Sequence, residues 1–576
     1  MSIELDSPLE VRSIQLLSAV PTSLEVVEML DPQSNTMVNV VHIGMESGLY
    51  LRAVIDETTG ELGDVRTKFL GTKAPVLCPV EVNGEECVLA CSTRPWLGYN
   101  HPQSRIYTLT PLISEPVLAG TSFISPDLKG LCAIHGQSLV IFTIPSIEGR
   151  LSRTSIDLNY TPRAMARNPW YPIFYTVESD GNTLSKAMRD QMRGKSIEQD
   201  DEATALEKHL GLPRGPQHWA SCIQAVDPAY QNAVLSTVEM VENEAALCCC
   251  CVSFESKGWD TVFLAVGTGQ HMQPGTGMPS IGYVHIYRLV DEGTKMEFVH
   301  KTKFEQPIYA IEPFNGRLAI GVGNELLFYD IGMKALLRKS RGQAVPNQIV
   351  SLQSMGSRIA CGDVSESVTY LVYKPKHNRM IPFVDDVVQR WTTTTSMIDY
   401  ETTAGGDKFG NIWIVRCPEQ ASQEADEEGA NGFIINERSY LGGAPYRFDL
   451  RAHFYAQDIP TSMQRTSLVA GGQEILFWAG LQGTLGMFVP FVTREDVEFF
   501  TALEQQMRAE DPPLAGRDHL MYRSYYVPVK GVIDGDLCER FMALSYDSKQ
   551  KIAAEVDREV KEIEKKVQEM RTRVAF

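Results

Sequence analysis

The sequence predicts a mainly all-β chain of propeller-like blades followed by a small α-helical domain, on three observations. Short apolar strands separated by Gly, Asn, Asp or Pro turns fill nearly all of residues 1–490. A diffuse repeat of about forty residues runs through the same region. Helical periodicity is missing until residue 493 and dominates afterwards.

The strands show period-2 alternation and β-branched enrichment, as in Gly48-Leu-Tyr-Leu-Arg-Ala-Val-Ile-Asp56, Glu86-Cys-Val-Leu-Ala-Cys91, Leu131-Cys-Ala-Ile134 and Ser138-Leu-Val-Ile-Phe142. Three units display the repeat. Arg317-Leu-Ala-Ile-Gly-Val-Gly precedes Glu325-Leu-Leu-Phe-Tyr-Asp330, and Arg358-Ile-Ala-Cys-Gly-Asp precedes Ser367-Val-Thr-Tyr-Leu-Val-Tyr373. Ser467-Leu-Val-Ala-Gly-Gly precedes Glu474-Ile-Leu-Phe-Trp478. Each is an apolar strand ending in small residues, a tight turn and a second apolar strand. That suits the inner and next strand of a blade, where small residues let strands crowd the channel. The Gly-His and Trp-Asp signatures of WD40 repeats are missing from these units, so the blades are WD40-like but divergent. A β-sandwich needs far fewer strands.

Two segments break the pattern. Residues 186–216 carry mixed charge and few apolar side chains, and read as a flexible insertion. Residues 418–432, with Glu424-Ala-Asp-Glu-Glu428, read as an acidic solvated loop.

From Thr493 the period is helical. Thr493-Arg-Glu-Asp496 is a capping-box candidate, with Val497, Phe500, Leu503 and Met507 on one face behind it. Asp536-Leu-Cys-Glu539 caps a second helix with Leu537, Phe541 and Leu544 inward. A third, long helix runs from about Ser548 to Arg571. Its stripe of Ile552, Val556, Val560, Ile563, Val567 and Met570 must bury against the propeller or a partner, so Ile552, Val556, Val560, Ile563 and Val567 form the candidate docking face.

The sequence carries none of the motifs that would make it an enzyme. No GxxxxGK[ST] loop, HExxH, Gly-x-Ser-x-Gly or Cys/His cluster at ligand spacing occurs, so no catalytic residue, cofactor or metal is assigned. Gly267-Thr-Gly269 and Gly275-Thr-Gly277 are flanked by strands and lack a helix N-terminus to hold phosphate. Asp534-Gly-Asp536 has only a scrap of a calcium loop and is better read as a helix cap. The 12 cysteines include the run Cys248 to Cys251, whose side chains alternate across a strand and cannot converge on one metal. They read as buried thiols of a nuclear or cytosolic protein. The net charge of −19 and pI near 5.1 make the chain a poor generic binder of nucleic acid. Arg523-Ser-Tyr-Tyr526 has the residue types that stack on bases, but fits a packed helix–strand junction better. The N-terminal Met-Ser-Ile-Glu-Leu-Asp has no secretory-signal pattern, and no uncharged apolar stretch approaches 18 residues, so no membrane association is expected.

Particular strings carry a family resemblance. Arg66-Thr-Lys-Phe-Leu-Gly71, Tyr160-Thr-Pro-Arg163, Trp219-Ala-Ser221, Gly405-Gly-Asp-Lys-Phe-Gly-Asn-Ile412, Gly516-Arg-Asp-His-Leu520, Arg523-Ser-Tyr-Tyr526, Val532-Ile-Asp-Gly-Asp-Leu-Cys-Glu539 and Arg571-Thr-Arg573 resemble the splicing factor 3b subunit 3 family. The likeness runs in register over essentially the whole chain. Wider relatives, the large cleavage-and-polyadenylation specificity factor subunit and the large UV-damaged DNA-binding protein subunit, share mainly the Asp-Gly-Asp-Leu element and the architecture. The family carries three propellers and a helical domain in a chain about twice as long, and this sequence resembles its C-terminal half. The resemblance implies that residues 1–159 are the last blades of one propeller, 160–492 most of the next, and 493–576 the helical domain. It also implies a non-enzymatic scaffold of the U2 small nuclear ribonucleoprotein in the nucleus, supporting branch-site recognition. Its implied partners are the HEAT-repeat and smallest subunits of splicing factor 3b and other U2 proteins, with RNA contact at most indirect or weak. The wider family implies an alternative, an adaptor of a ubiquitin-ligase or DNA-damage-recognition complex.

Overall fold

The computed structural model describes residues 13–572 except 31–35, 57, 101–106, 113–115, 126–128, 145–154, 186–187, 190–213, 229–232, 242, 273–279, 428–442, 469–471 and 511–515. Its strands form nine consecutive sheets, here called blades 1 to 9, which apart from one short parallel addition are antiparallel meanders. Blades 1 and 2 have four strands each, between Pro21 and Phe69 and between Val76 and Pro111. Blade 3, between Ala119 and Phe142, has three. Blades 4 (Pro162 to Glu239), 5 (Glu244 to Phe304) and 6 (Ile308 to Gln343) are four-stranded. Blade 7 (Ile349 to Asp385) gains the short parallel strand Tyr446–Arg447 at its outer edge. Blade 8 (Thr392–Met397, Thr402–Asp407, Asn411–Arg416, Asp449–Tyr455) is four-stranded, and blade 9 (Pro460–Thr466, Ile475–Gly480, Leu485–Phe488) is three-stranded. The predicted all-β architecture of blades with a helical C-terminal domain is the one observed.

Successive blades stack through their first strands, and glycines make this approach close. A Cβ on Gly267 of blade 5 would lie 2.8 Å from Ile308, the first residue of blade 6. The same holds between Gly321 and Ile349 at 2.7 Å, and between Gly406 and Pro460 at 2.6 Å. Alternate residues of each sheet then fill the interblade cores. Cys248 and Cys250 face blade 6 among Phe263, Ile286, Leu318 and Leu327, while Cys249 and Cys251 face blade 4 near Tyr175 and Ile223.

This stacking corrects the strand assignment made from the repeat. Arg317–Val322 with Glu325–Asp330, and Arg358–Asp363 with Val368–Lys374, are second and third strands, not first and second. The small residues serve the neighbouring blade's first strand. In blade 9 the first strand ends at Thr466, so Ser467 and Leu468 lie past it, and 469–471 lie outside the described residues. The acidic segment 418–432 is not simply a loop. Helix α1, Glu419–Asp426, buries Ala421 and Ala425 against Trp413 and Phe448. Arg358, itself buried, donates to the Ser422 carbonyl at 2.9 Å and to Asp426 at 3.0 Å, fastening the end of α1. Residues 428–432 lie outside the described residues. So does most of the 186–216 insertion, but its last residues already belong to the strand Arg214–Val226.

Five helices follow blade 9: α2 (Arg494–Glu510), α3 (His519–Tyr522), α4 (Gly535–Glu539), α5 (Tyr546–Val556) and α6 (Val560–Thr572). Thr493 caps α2 as predicted, its Oγ1 accepting from Asp496 N at 3.2 Å. The cap of α4 is Asp534, two residues ahead of the predicted one. The single long helix from Ser548 is instead a pair. Asp557 adopts the left-handed conformation at φ 55 and ends α5, and α6 starts afresh at Val560. No helix of the described residues is long and apolar enough to cross a membrane.

The flanks of blades 1 to 3 differ. On blade 1, Leu17 and Ala19 of the preceding segment cover the face away from blade 2, over Val41, Ile43 and Leu51. On blade 3 the corresponding face leaves Ile134, Leu139 and Ile141 exposed.

Because Gly321 meets Ile349 with no room for a side chain, Gly321→Val should destabilise the chain by about 1–3 kcal/mol through overpacking. An unchanged urea midpoint would show that the interblade spacing is not set there.

Candidate partner-binding surface

The predicted docking stripe is consumed inside the helical domain. Ile552, Ile563 and Val567 are buried, and Val556 and Val560 half-buried, in one cluster with Phe500, Leu503, Met507, Leu537 and Phe541. Within the chain they cover α2 and α4 rather than the propeller. Lys549 bonds Glu564 at 2.8 Å across α5 and α6, and Lys566 reaches Asp496 at 2.6 Å on α2. The domain is thus a packed unit whose apolar faces look inward.

What joins this unit to blade 8 is the strap between α3 and α4. Tyr455 N donates to Arg523 O at 3.0 Å, and His453 and Lys530 exchange backbone bonds at 2.8 and 3.0 Å. Gly531 follows at φ 62, and a Cβ there would sit 2.2 Å from Arg451 O. The strap therefore borders the outer strand Asp449–Tyr455. Asp534 anchors its far end. One carboxylate oxygen accepts from the N–H of Asp536 and Leu537 at 3.1 and 3.4 Å, capping α4. The other faces His519 Nε2 at 2.8 Å and Arg523 Nε at 2.7 Å. Both oxygens of this buried carboxylate are thus engaged, one by backbone N–H groups and the other by two side chains.

An aromatic surface opens where the strap crosses blade 8. Trp391, in the connection from blade 7, is 39% exposed, and Phe409, in the turn between the second and third strands of blade 8, is 40% exposed. Tyr525 and Tyr526 of the strap are 47% and 51% exposed. The Phe409 ring lies 5.9 Å from Tyr525 and 6.1 Å from Tyr526, and Tyr525 stacks on Tyr455 at 5.8 Å. Lys408 bridges the set, its Nζ 3.4 Å from the Trp391 ring and 5.2 Å from that of Phe409. These side chains are held from below. Buried Asp407 accepts from the N–H of Phe409 at 2.9 Å and of Asn411 at 3.0 Å, and takes the Tyr526 hydroxyl on its other oxygen. Arg390, fully buried, pairs with Asp386 at 2.9 Å and lies 5.0 Å over Trp413.

The electrostatics beneath the surface follow from burial. Burial first, and the Arg390 charge second, push His453 down to about 4, so it is neutral in the fold. Burial raises the Tyr526 hydroxyl, and its bond to Asp407 raises it further. Elsewhere His42 is pushed down to about 3 by burial and Arg52. Among the described residues no group of three or more His, Cys, Asp or Glu side chains is placed to hold a metal ion. The surface has the makings of an adhesive patch: exposed aromatic anchors, one cation and a rigid hydrogen-bonded floor.

Sequence reasoning singled out Arg523 to Tyr526 but read them as core, and missed Trp391 and Phe409. Tyr525 and Tyr526 do pack at a helix–strand junction, yet each keeps half its area outside. The available signal was Asp407-Lys-Phe-Gly410: an Asp-headed turn displaying an aromatic residue that no strand alternation requires.

The blades and the strapped helical domain define a class of fold, a divergent propeller with a C-terminal helical domain. The region of residues 220–543 matches the family model described as CPSF A subunit region, and residues 1–144 match RSE1/DDB1/CPSF1 second beta-propeller. The chain belongs to the CPSF A subunit family. It is 51% identical over 578 residues to Pre-mRNA-splicing factor rse1 of Emericella nidulans, covering all of this chain and 48% of that protein. It is 40% identical to Pre-mRNA-splicing factor prp12 of Schizosaccharomyces pombe, covering all of this chain and 46% of the relative. To Spliceosome-associated protein 130 A of Arabidopsis thaliana it is 37% identical, over all of this chain and 49% of that one. The chain spans about half the length of the curated relatives it matches.

Neutral His453 makes the region acid-sensitive. Its folded-state pKa lies below the unfolded value, so the unfolded chain takes up the proton first, and stability present above pH 6.5 is lost as pH falls towards 4. For this residue the loss between pH 7 and 5 is about 2 kcal/mol. His453→Gln should therefore flatten the acid limb of the stability curve, measured by urea melts at both pH values. An unchanged limb would place the sensitivity elsewhere.

Proposed function

We propose that this chain is a non-enzymatic scaffold subunit of the splicing factor 3b complex of the U2 small nuclear ribonucleoprotein, acting in the nucleus through protein–protein contacts that support branch-site recognition. The relatives' names supply the splicing context. The single observation on this chain that carries the scaffold reading is the aromatic surface of Trp391, Phe409, Tyr525 and Tyr526. It offers anchors for a partner and no constellation of nucleophile, base or metal ligands.

In this reading residues 1–159 contribute the last blades of one propeller, 160–492 most of the next, and 493–576 the helical domain. The HEAT-repeat and smallest subunits of splicing factor 3b are the partners, and the aromatic surface is where one of them docks. The strap makes the surface composite, since half its rings come from blade 8 and half from the segment that carries the helical domain. The adaptor role in a ubiquitin ligase has no observation of this chain in its favour.

The test is capture from nuclear extract followed by mass spectrometry. U2 components should be recovered on the tagged chain, and Trp391→Ala with Phe409→Ala should reduce their recovery at least tenfold, since aromatic anchors each carry about 2 kcal/mol or more. Recovery of a cullin instead, or full recovery on a folded double variant, would overturn the proposal.

A further inference from the structure

The chain carries a net charge of −19, yet the outer edges of blades 5, 6 and 7 are basic. The outermost strand of blade 5, Lys295–Phe304, exposes Lys301 and Lys303, and that of blade 6, Leu337–Gln343, exposes Arg338, Lys339 and Arg341. Lys334 lies in the turn entering the latter, and Arg379 begins the outer strand of blade 7, Arg379–Asp385. These edges are continuous. Leu336 N donates to Thr302 Oγ1 of blade 5 at 2.9 Å, setting the blade 6 strand beside the two lysines. Asn378, next to Arg379, donates to Lys339 O at 2.8 Å and accepts from Ser340 Oγ at 2.7 Å, so blade 7 abuts the same strand.

Acidic groups neutralise only part of this belt. Arg341 pairs with Glu325, and Lys339 lies 3.8 Å from Asp330. Glu297 is taken by Arg288, and Glu305 stands at the belt's margin. Lys301 lies over the Tyr283 ring at 4.4 Å. Among the described residues Lys301, Lys303, Lys334, Arg338 and Arg379 form no ion pair, although Lys301 acts on buried Glu244 through space. Holding these unpaired cations together on an acidic protein costs repulsion that no ion pair of the described residues offsets, so an external polyanion is the fitting partner. Alternate residues of a strand repeat every ~6.6 Å, close to the spacing of successive phosphates along an extended nucleic-acid strand.

We propose that the outer edges of blades 5 to 7 form a sequence-independent binding surface for an RNA phosphate backbone. The choice of RNA over an acidic polypeptide rests on the splicing reading above. The belt lies on blades 5 to 7, whereas the aromatic surface is built at blade 8 and the strap, so one molecule can hold a protein and an RNA together. Base identity is not read, because the contacts offered are cations directed at the phosphate backbone.

The test is fluorescence anisotropy of the purified chain with labelled 20-nucleotide oligo-U and a mixed-sequence RNA of equal length. Dissociation constants of about 1–100 μM, equal for both RNAs, are expected at physiological salt, with log K falling against log salt at a slope of about −2 to −3.5. The triple variant Lys303→Glu, Arg338→Glu, Arg379→Glu should weaken binding at least tenfold at low salt and flatten the slope by about 2. Lys257→Glu with Lys565→Glu, exposed cations away from the belt, should do neither. Equal binding by a triple variant with an unaltered melt, a sequence preference, or tighter binding of an oligo-Glu peptide would overturn the proposal. Nuclear-extract capture by the triple variant separates the two readings: U2 components retained with RNA affinity lost supports both, whereas RNA affinity intact with capture absent leaves the belt refuted and points to a fault in the scaffold reading.

Discussion

Three blade-to-blade contacts in this chain depend on a residue with no side chain. At Gly267, Gly321 and Gly406 the second strand of one blade touches the first residue of the next, so closely that a single methyl group would have to displace Ile308, Ile349 or Pro460. Antiparallel sheets of strong twist pack only when their inner ends converge, and the glycines permit that convergence. The larger residues alongside then close the cores, Leu318 and Leu327 between blades 5 and 6, Ile359 and Leu371 between 6 and 7. The same geometry fixes where connections emerge, and with them Trp391 and Phe409.

Buried carboxylates do for the turns and caps what glycines do for the cores. Asp363 accepts from the backbone of Asn347 and Gln348 and of its own turn, Ser365 and Glu366, at 2.8 to 3.1 Å. Asp407 and Asp534 repeat this use, each filling one oxygen with local N–H groups and lending the other to a distant residue. A local capping device thereby becomes a tertiary link. The energetic reason is that a buried carboxylate with an unfilled lone pair is costly, so the second oxygen must recruit something.

Much of this was legible in the residues. Strand alternation, the Gly-Asp endings and the caps at Thr493 and Asp534 are short-range features with short-range causes. What escaped has longer-range causes. Helix α1 hid because its acidic run outweighed Ala421 and Ala425, whose spacing of four residues gains meaning only when Trp413 and Phe448 stand opposite. The break at Asp557 escaped because the apolar stripe continues in phase across it, from Val556 to Val560. The stripe itself was rightly read as buried, but its cover lies in Phe500, Leu503 and Phe541 rather than in another body. Exposure of Tyr525 and Tyr526 was invisible, since aromatic residues beside an arginine look alike whether packed or displayed. Their register against blade 8 follows from the His453–Lys530 pairing, which joins residues far apart in sequence.

That pairing also sets an order of events during translation. The outer border of blade 8 is complete only when Lys530 has been made, and a ribosome adding about 5–20 residues per second needs roughly 4–15 s to travel there from His453. For that interval the newest strand edge is open while blade 9 is still being threaded out. A chaperone engaging nascent chains would find its target in this window, and a pause in elongation near codon 530 would lengthen the exposure without altering a single contact of the finished molecule.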